Sequence, residues 1–268
     1  MKAEVVTSRS NALAKLARTV RDGKTHELIL VEGVRLCEEA ARAEIEIAHV
    51  LFTEKVRRDV RGALLLQKMK ERAEHLTAVS EDVLASVADT RTPQGIIALA
   101  RRPPTDCSVL ERDKSEKPLV VVMHGANNPA NAGAMMRVAE AAGANGMITT
   151  HGSTDLYAPK ALRGAMGSSF RLRVWGGASF AEAVGWCRAR GIQTVCTDAR
   201  AAQSHTEIDW TLPRAVIVGG EGGGLTDDEL KAADACVRIP MRAPVESLNV
   251  AVALAVVLYE AARQRANL

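Results

Sequence analysis

Ile239-Pro-Met-Arg-Ala-Pro-Val-Glu-Ser-Leu-Asn-Val250 is the stretch on which the fold turns. It leads from a proline-stopped apolar strand into a long helix of small residues. Between them stand Glu246, Ser247 and Asn249, polar groups where an ordinary core segment has none. Two upstream segments share this character, Asn127-Asn-Pro-Ala-Asn-Ala-Gly-Ala-Met-Met-Arg137 and Val218-Gly-Gly-Glu-Gly-Gly-Gly-Leu225. Each polar loop follows an apolar run, and together they predict one composite site.

Working outward from these loops, strands are expected at 119–124, 146–150, 171–174, 192–197, 214–218 and 237–239. Helices are expected between them at 132–142, 159–166, 180–190 and 227–233, with a closing helix over 248–264. Near-continuous apolar strands alternating with helices predict an α/β fold with a mostly parallel sheet and helices on both faces. Ligands of such sheets sit beyond the carboxyl ends of the strands, where all three loops lie. Upstream, helices at 11–19, 34–43, 62–73 and 81–88 alternate with strands at 28–32, 49–53, 76–79 and 95–100, which predicts a small α/β domain. The run Arg101-Arg-Pro-Pro-Thr-Asp-Cys-Ser-Val-Leu-Glu-Arg-Asp-Lys-Ser-Glu-Lys-Pro118 is charged, proline-rich and aperiodic. It divides the chain into 1–103, a linker at 104–117, and 118–268.

With 268 residues, 47% hydrophobic and 25% charged, the composition is that of a soluble globular protein of one large or two ordinary domains. Aromatic residues are only 3%, which argues against a broad base-stacking platform. The net charge of +3 resides in the first part, with 18 Lys/Arg against 15 Asp/Glu in 1–103 and 17 against 17 beyond it. A polyanionic partner fits this balance, and so does a solvated basic face. The five cysteines are scattered, odd in number and without a CxxC pair, as expected of reduced cytoplasmic thiols. The six histidines show no metal-ligand spacing, so no metal is expected. No apolar run approaches the roughly 20 residues of a membrane span.

The glycine loop Gly219–Gly224 fits neither G-x-G-x-x-G nor a P-loop. Its glycines allow close backbone approach to a ligand, or equally a tight turn without one. Glu221 in so confined a loop needs a partner, for which Arg137, set among Met135, Met136, Val138 and Ala139, supplies a cation. Asn131 is positioned to cap the helix that carries Arg137, and Ser247 to cap the last one. Asn249, inside that last helix's first turn, competes with helix hydrogen bonds and is harder to explain structurally. Two amides, a hydroxyl, an arginine and a glutamate make neither a metal cage nor a nucleophile–His–Asp triad.

In order and spacing the three segments resemble the motifs of the SpoU (TrmH-like) branch of the SPOUT RNA methyltransferases. Residues 118–265 look like the catalytic domain. Residues 1–103 are similar to the family's small, L30e-like substrate-binding domain, with Val31-Glu-Gly-Val-Arg35 and Thr90-Arg-Thr-Pro-Gln-Gly-Ile-Ile97 as its marks. The resemblance implies a deep trefoil knot at the C-terminal end, an exception to the rule that chains do not knot. It also implies a homodimer and S-adenosylmethionine held through Thr197, Gly219, Ile239 and Leu248. Asn131, Arg137, Glu221, Ser247 and Asn249 would form the catalytic group, and the reaction would be methyl transfer to a ribose 2′-hydroxyl. Ribosomal RNA is the expected partner, with transfer RNA as the alternative. Its contacts are expected from Lys15, Arg18, Arg35, Arg91, Lys160 and Arg163.

Two rival classes are weighed against this reading. A non-catalytic RNA-binding or ribosome-assembly protein on the same scaffold would have lost part of the five-residue set. A doubly wound dehydrogenase would carry the dinucleotide fingerprint, which is absent.

Overall fold

The computed structural model describes residues 5–43, 45–111 and 115–266. These fall into two compact units, Met1–Pro103 with Leu156–Phe170, and Pro104–Asp155 with Arg171–Leu268.

The first unit runs α1 (Ala12–Arg21), β1 (Leu28–Glu32), α2 (Val34–Arg42), β2 (Ile47–Phe52), α3 (Glu54–Arg58), α4 (Val60–Arg72), β3 (Ala73–Ala78), α5 (Glu81–Val87) and β4 (Ile96–Arg101). Its sheet has the order β1-β4-β2-β3, with β4 antiparallel to both neighbours and β3 parallel to β2. The apolar faces of α1 and α5 close one side. Ala14, Ala17 and Val20, at three-residue spacing, pack with Val83, Leu84 and Val87 over Leu30, Leu51, Ile97 and Leu99. Asn11 caps α1 by accepting from the Leu13 amide at 2.9 Å. No periodicity announces α3, whose five residues include one apolar side chain, the buried Val56.

The second unit begins with α6 (Ser108–Glu111), within the run expected to be a bare linker. Val109 and Leu110 are both buried, each 5% exposed, and belong to the unit's core. Leu110 Cδ2 lies 2.4 Å from where a Cβ on Gly146 would stand, so the glycine makes room for it. Residues 112–114 of the expected linker lie outside the described residues.

The order continues through β5 (Leu119–Met123), α7 (Pro129–Ala141), β6 (Gly146–Thr150), α8 (Pro159–Ala165), β7 (Arg173–Ala178), α9 (Phe180–Ala189), β8 (Gln193–Thr197), β9 (Gln203–Ser204), β10 (Arg214–Val218), α10 (Asp227–Ala232), β11 (Ala235–Arg238) and α11 (Val250–Arg265). The seven strands form one sheet in the order β7-β6-β5-β10-β8-β11-β9, with every pairing parallel. All residues of β5, β6 and β10 are buried, as the absence of apolar–polar alternation in their sequences predicts. One face carries Val120, Val122, Ala215 and Ile217 against Ala183, Val184 and Cys187 of α9. On the other face α7 and α11 pack on each other and reach β6 and β10.

Helix ends show why the segments stop where they do. Asn128 accepts from the Ala130 and Asn131 amides and Pro129 occupies the first turn, a favoured helix start. At the other end Gly143, at φ +83°, lets the chain reverse, with Ala144 N donating to Ala139 O at 2.9 Å. α11 is held at its far end by Arg265, which donates to the carbonyls of Lys117, Trp210 and Leu212 at 2.7–2.9 Å. Although continuous in sequence with the second unit's elements, α8 contacts β1 and clusters with the first unit, its Ala161, Leu162 and Ala165 fully buried.

Candidate active site

Beyond the carboxyl ends of β8, β10 and β11 the loops enclose a cavity of about 710 Å³. Thr197, Gly219, Ile239 and Leu248 all line it, as do Glu221, Ser247 and Asn249. Ser247 is exposed on its wall.

The glycine loop is a turn folded on itself. Gly220 and Gly224 bridge each other, Gly224 N donating to Gly220 O at 3.2 Å. A Cβ on Gly219 would stand 2.6 Å from the Gly224 carbonyl carbon, and one on Gly220 would stand 2.4 Å from the Gly125 carbonyl oxygen. Two glycines are therefore required by packing: one closes the turn, the other seats it on the loop after β5. Gly222 and Gly223 face open space and carry no such requirement.

Asn249, Asn131 and Glu221 form one directed chain of hydrogen bonds. Asn249 is the N-cap of α11, its Oδ1 accepting from the Ala251 and Val252 amides at 2.9 and 3.3 Å. That leaves its Nδ2 to donate, and it does so to Asn131 Oδ1 at 3.0 Å. Asn131 Nδ2 in turn donates to Glu221 Oε1 at 2.7 Å. The helix amides thus fix the orientation of both side-chain amides, and a carboxylate is the final acceptor. Burial works to raise the Glu221 pKa. Hydrogen bonds from the Asn131 side chain, its own backbone and the amides of Asn127 and Asn128 outweigh this, so the carboxyl lies below its usual range.

Three expectations are corrected here. Asn131 is not the cap of its helix, because Asn128 already satisfies the first amides and frees Asn131 to span two loops. The cap of the last helix is Asn249, not Ser247, so its side chain completes the helix start instead of competing with it. Glu221 pairs with Asn131, not with Arg137. Arg137 is an exposed side chain outside the cavity lining, and among the described residues it has no ion-pair partner. Buried neighbours at 135, 136 and 139 occupy the inner faces of α7, and position 137 falls on the outer one.

Asp198 and Arg200, at the cavity rim, were not anticipated. Arg200 grips Asp198 through Nε and Nη2 at 3.1 and 2.9 Å, and this holds the carboxyl well below its usual range against the opposing effect of burial. Arg200 also approaches Asp227 at 3.7 Å. Their position directly after β8 was the available signal, since strand-end residues are where such sheets bind.

The six basic residues expected at RNA all belong to the first unit. Lys15, Arg35, Arg91 and Lys160 are exposed. Arg18 is half-buried and donates to the Arg9 carbonyl at 2.8 Å. The β1–α2 junction just before Arg35 and the loop carrying Arg91 clamp each other. Buried Glu32 accepts from the Asp89 amide at 2.7 Å and from the Thr90 hydroxyl, and Val34 N donates to Gln94 Oε1 at 2.9 Å. Arg163, in contrast, is committed to an ion pair with Asp89 at 2.6 Å and lies 4.0 Å from Glu32. Its charge is spent on holding α8 against the clamp.

A parallel α/β sheet with a glycine-lined cavity at its carboxyl end and an amide–carboxylate chain on the cavity wall, in a protein that also carries a basic unit, has the build of a group-transfer enzyme with a polyanionic substrate. Residues 118–259 match the model of the SpoU rRNA methylase family, and residues 8–98 match that of the MRM3-like substrate binding domain. The chain belongs to the SpoU rRNA methylase family. It is 28% identical to the 23S rRNA (guanosine(2553)-2′-O)-methyltransferase RlmP of Bacillus subtilis, over 91% of this chain and 92% of that one. A solved RNA 2′-O ribose methyltransferase superposes with a TM-score of 0.82 at 35% identity, covering 98% of this chain and all of the other. The SpoU methyltransferase AviRb of Streptomyces viridochromogenes, solved in complex with the cofactor AdoMet, superposes with a TM-score of 0.86 at 28% identity, over 96% and 98% of the two chains.

Proposed function

We propose that this protein methylates a ribose 2′-hydroxyl of ribosomal RNA with S-adenosylmethionine as methyl donor. The observation that carries the reading is the Asn249–Asn131–Glu221 chain on the wall of a glycine-lined cavity, in a fold shared with 2′-O-methyltransferases. The cavity fits the donor. Its volume is within the roughly 300–1,000 Å³ of small-molecule sites. The backbone at Gly219 is bare, and Thr197, Ile239 and Leu248 line the same space. These four residues would hold S-adenosylmethionine, chiefly through main-chain groups. When bound, it supplies an electrophilic methyl on its sulfonium.

The protein's own task is to present an aligned, more nucleophilic oxygen. Ser247 orients the 2′-hydroxyl and relays its proton to solvent as the oxygen takes the methyl group. Arg137 stabilises the negative charge that develops there. Asn249, Asn131 and Glu221 hold the three loops in register. Arg137 follows Asn131 by six residues, about 600° of helical turn and so roughly 120° around α7 from it. It therefore serves the cavity of a second copy, in a homodimer. Exposed Val245, Val252 and Tyr259 on and before α11 support such a face.

We read the 239–249 run as threaded through the preceding loops in a deep trefoil knot. The insertion of β10 between β5 and β8 and the packing of α11 on α7 support this. The 1–103 domain, L30e-like, selects the RNA through Lys15, Arg18, Arg35 and Arg91, joined by Lys160 and Arg163 from the 156–170 segment that clusters with it, while the rest of 118–268 carries donor and catalysis. The five free thiols suit a reducing cytoplasm.

Calorimetry with S-adenosylmethionine, and with NAD as a control, tests the site. The wild type should bind the first and not the second. Gly219→Val, whose side chain would press on the Gly224 backbone, should lose binding while keeping a cooperative melt. Unchanged affinity in the folded variant would count against the assignment.

A further inference from the structure

His124 ends the run of β5, with its amide donating to Val218 O at the end of β10 at 2.9 Å. Its ring is held on three sides. Nε2 lies 2.9 Å from Glu229 Oε1, Nδ1 lies 2.9 Å from Thr150 Oγ1, and Phe180 meets it edge-on at 5.0 Å between ring centroids. The side chains of His124 and Glu229 are only 20% and 22% exposed. The second oxygen of Glu229 accepts from the Thr226 amide at 2.8 Å, closing the capping box of α10. Thr150 Oγ1 also accepts from the Gly125 amide at 3.3 Å.

The charge on Glu229 sets the direction of one of these contacts. Burial works to raise the Glu229 pKa, but hydrogen bonds from Thr226 and the contact with His124 outweigh it and keep the carboxyl below its usual range. An ionised carboxylate only accepts, so Nε2 carries a proton and donates the hydrogen bond to Glu229. Nδ1 shares the ring's other hydrogen bond with the Thr150 hydroxyl, which also reaches the His151 carbonyl at 3.4 Å.

This arrangement has a consequence for the site. Glu229 stands just beyond the glycine loop, and His124 just before the loop that supplies the Asn127 and Asn128 amides to Glu221. The two loops touch where Gly220 sits on the Gly125 carbonyl. They are joined inside the site by Glu221, and outside it by His124 and Glu229.

We propose that His124, braced between Glu229 and Thr150, is a positioning residue that sets the spacing of the glycine loop and the β5–α7 loop, and so the placement of Glu221 and Asn131. The proposal rests on the methyl-transfer reading, yet one of its tests does not depend on activity. Hydrogen–deuterium exchange on the full chain without ligand follows the amides of Asn127, Asn128 and 219–224. His124→Leu keeps the bulk of the ring and loses both hydrogen bonds, and should speed exchange there about tenfold or more. His124→Gln can still donate toward Glu229 and should stay near wild type.

With saturating S-adenosylmethionine and deproteinised ribosomal RNA, single-turnover methylation by His124→Leu should fall about 10- to 100-fold, the scale of a misplaced site. Donor affinity by calorimetry should change no more than about threefold, which separates positioning from uniform binding. Glu229→Gln combined with His124→Leu should be no slower than His124→Leu alone. Wild-type exchange and rate in a folded His124→Leu, or a His124→Gln as impaired as His124→Leu, would overturn the proposal. If the wild type itself methylates no ribose, the functional reading fails, and the exchange comparison still decides the brace.

Discussion

Asparagine carries much of the site's chemistry. Of the four asparagines in its two helical loops, three have distinct tasks: Asn128 starts α7, Asn249 starts α11, and Asn131 joins them to Glu221. Asn128 followed by Pro129 is an ordinary signature of a helix start, yet the helix was expected to open at 132 with Asn131 as its cap. Asn131 could not be assigned from sequence, because its partners lie 90 and 118 residues away. The pairing of Arg137 with Glu221 was inferred from a charge among apolar neighbours, and that inference fails where the helix has an outer face. At this scale we expect Arg137→Ala to leave donor affinity intact and to lower single-turnover methylation by roughly 10²–10³, as for loss of one preorganised donor at a developing oxyanion. Arg137→Lys should recover little, since an ammonium lacks the planar fork. Near-normal turnover by Arg137→Ala would move the central role to Ser247.

At the level of elements, the strands of the second unit were legible because burial on both faces demands unbroken apolar runs, as in Leu119-Val-Val-Val-Met123. Three of the short elements were not. β9, α3 and α6 contain too few apolar positions to show a period, and their placement comes from long-range packing such as that of Leu110 beside Gly146. The last helix adds a pH dependence. Glu260 receives hydrogen bonds from Arg263 and Gln264 that hold its carboxyl down to about 2. A depressed folded-state value means a stabilising contribution that is complete above the unfolded value near 4.5 and lost as pH falls toward 2. Chemical denaturation between pH 6 and pH 3 should therefore show Glu260→Gln losing less stability than the wild type as pH drops. Parallel curves would show that the Arg263 contact contributes nothing in solution.

At the scale of the whole molecule, the expected division at residue 103 follows composition, and the compact units depart from it at one point. Leu156–Phe170 lies between two second-unit strands in sequence but clusters with the first unit, whose β1 it covers. No local pattern announces this, because the apolar face of α8 reads the same whichever sheet it meets. The proposed sharing of Arg137 between two copies is also a property of the assembly. Inactive Arg137→Ala and inactive Gly219→Val proteins, mixed and refolded together, should regain about a quarter of wild-type activity if equal mixing leaves one intact site in half of the dimers. No recovery would place Arg137 at its own chain's cavity. The central claim is most directly tested by incubating the full chain with methyl-labelled S-adenosylmethionine and deproteinised ribosomal RNA from cells lacking the gene, followed by complete alkaline hydrolysis. A 2′-O-methyl group blocks attack of that oxygen on the neighbouring phosphodiester, so the label should appear in an alkali-stable dinucleotide from a single site. Label recovered in mononucleotides, the mark of a methylated base, would contradict the account.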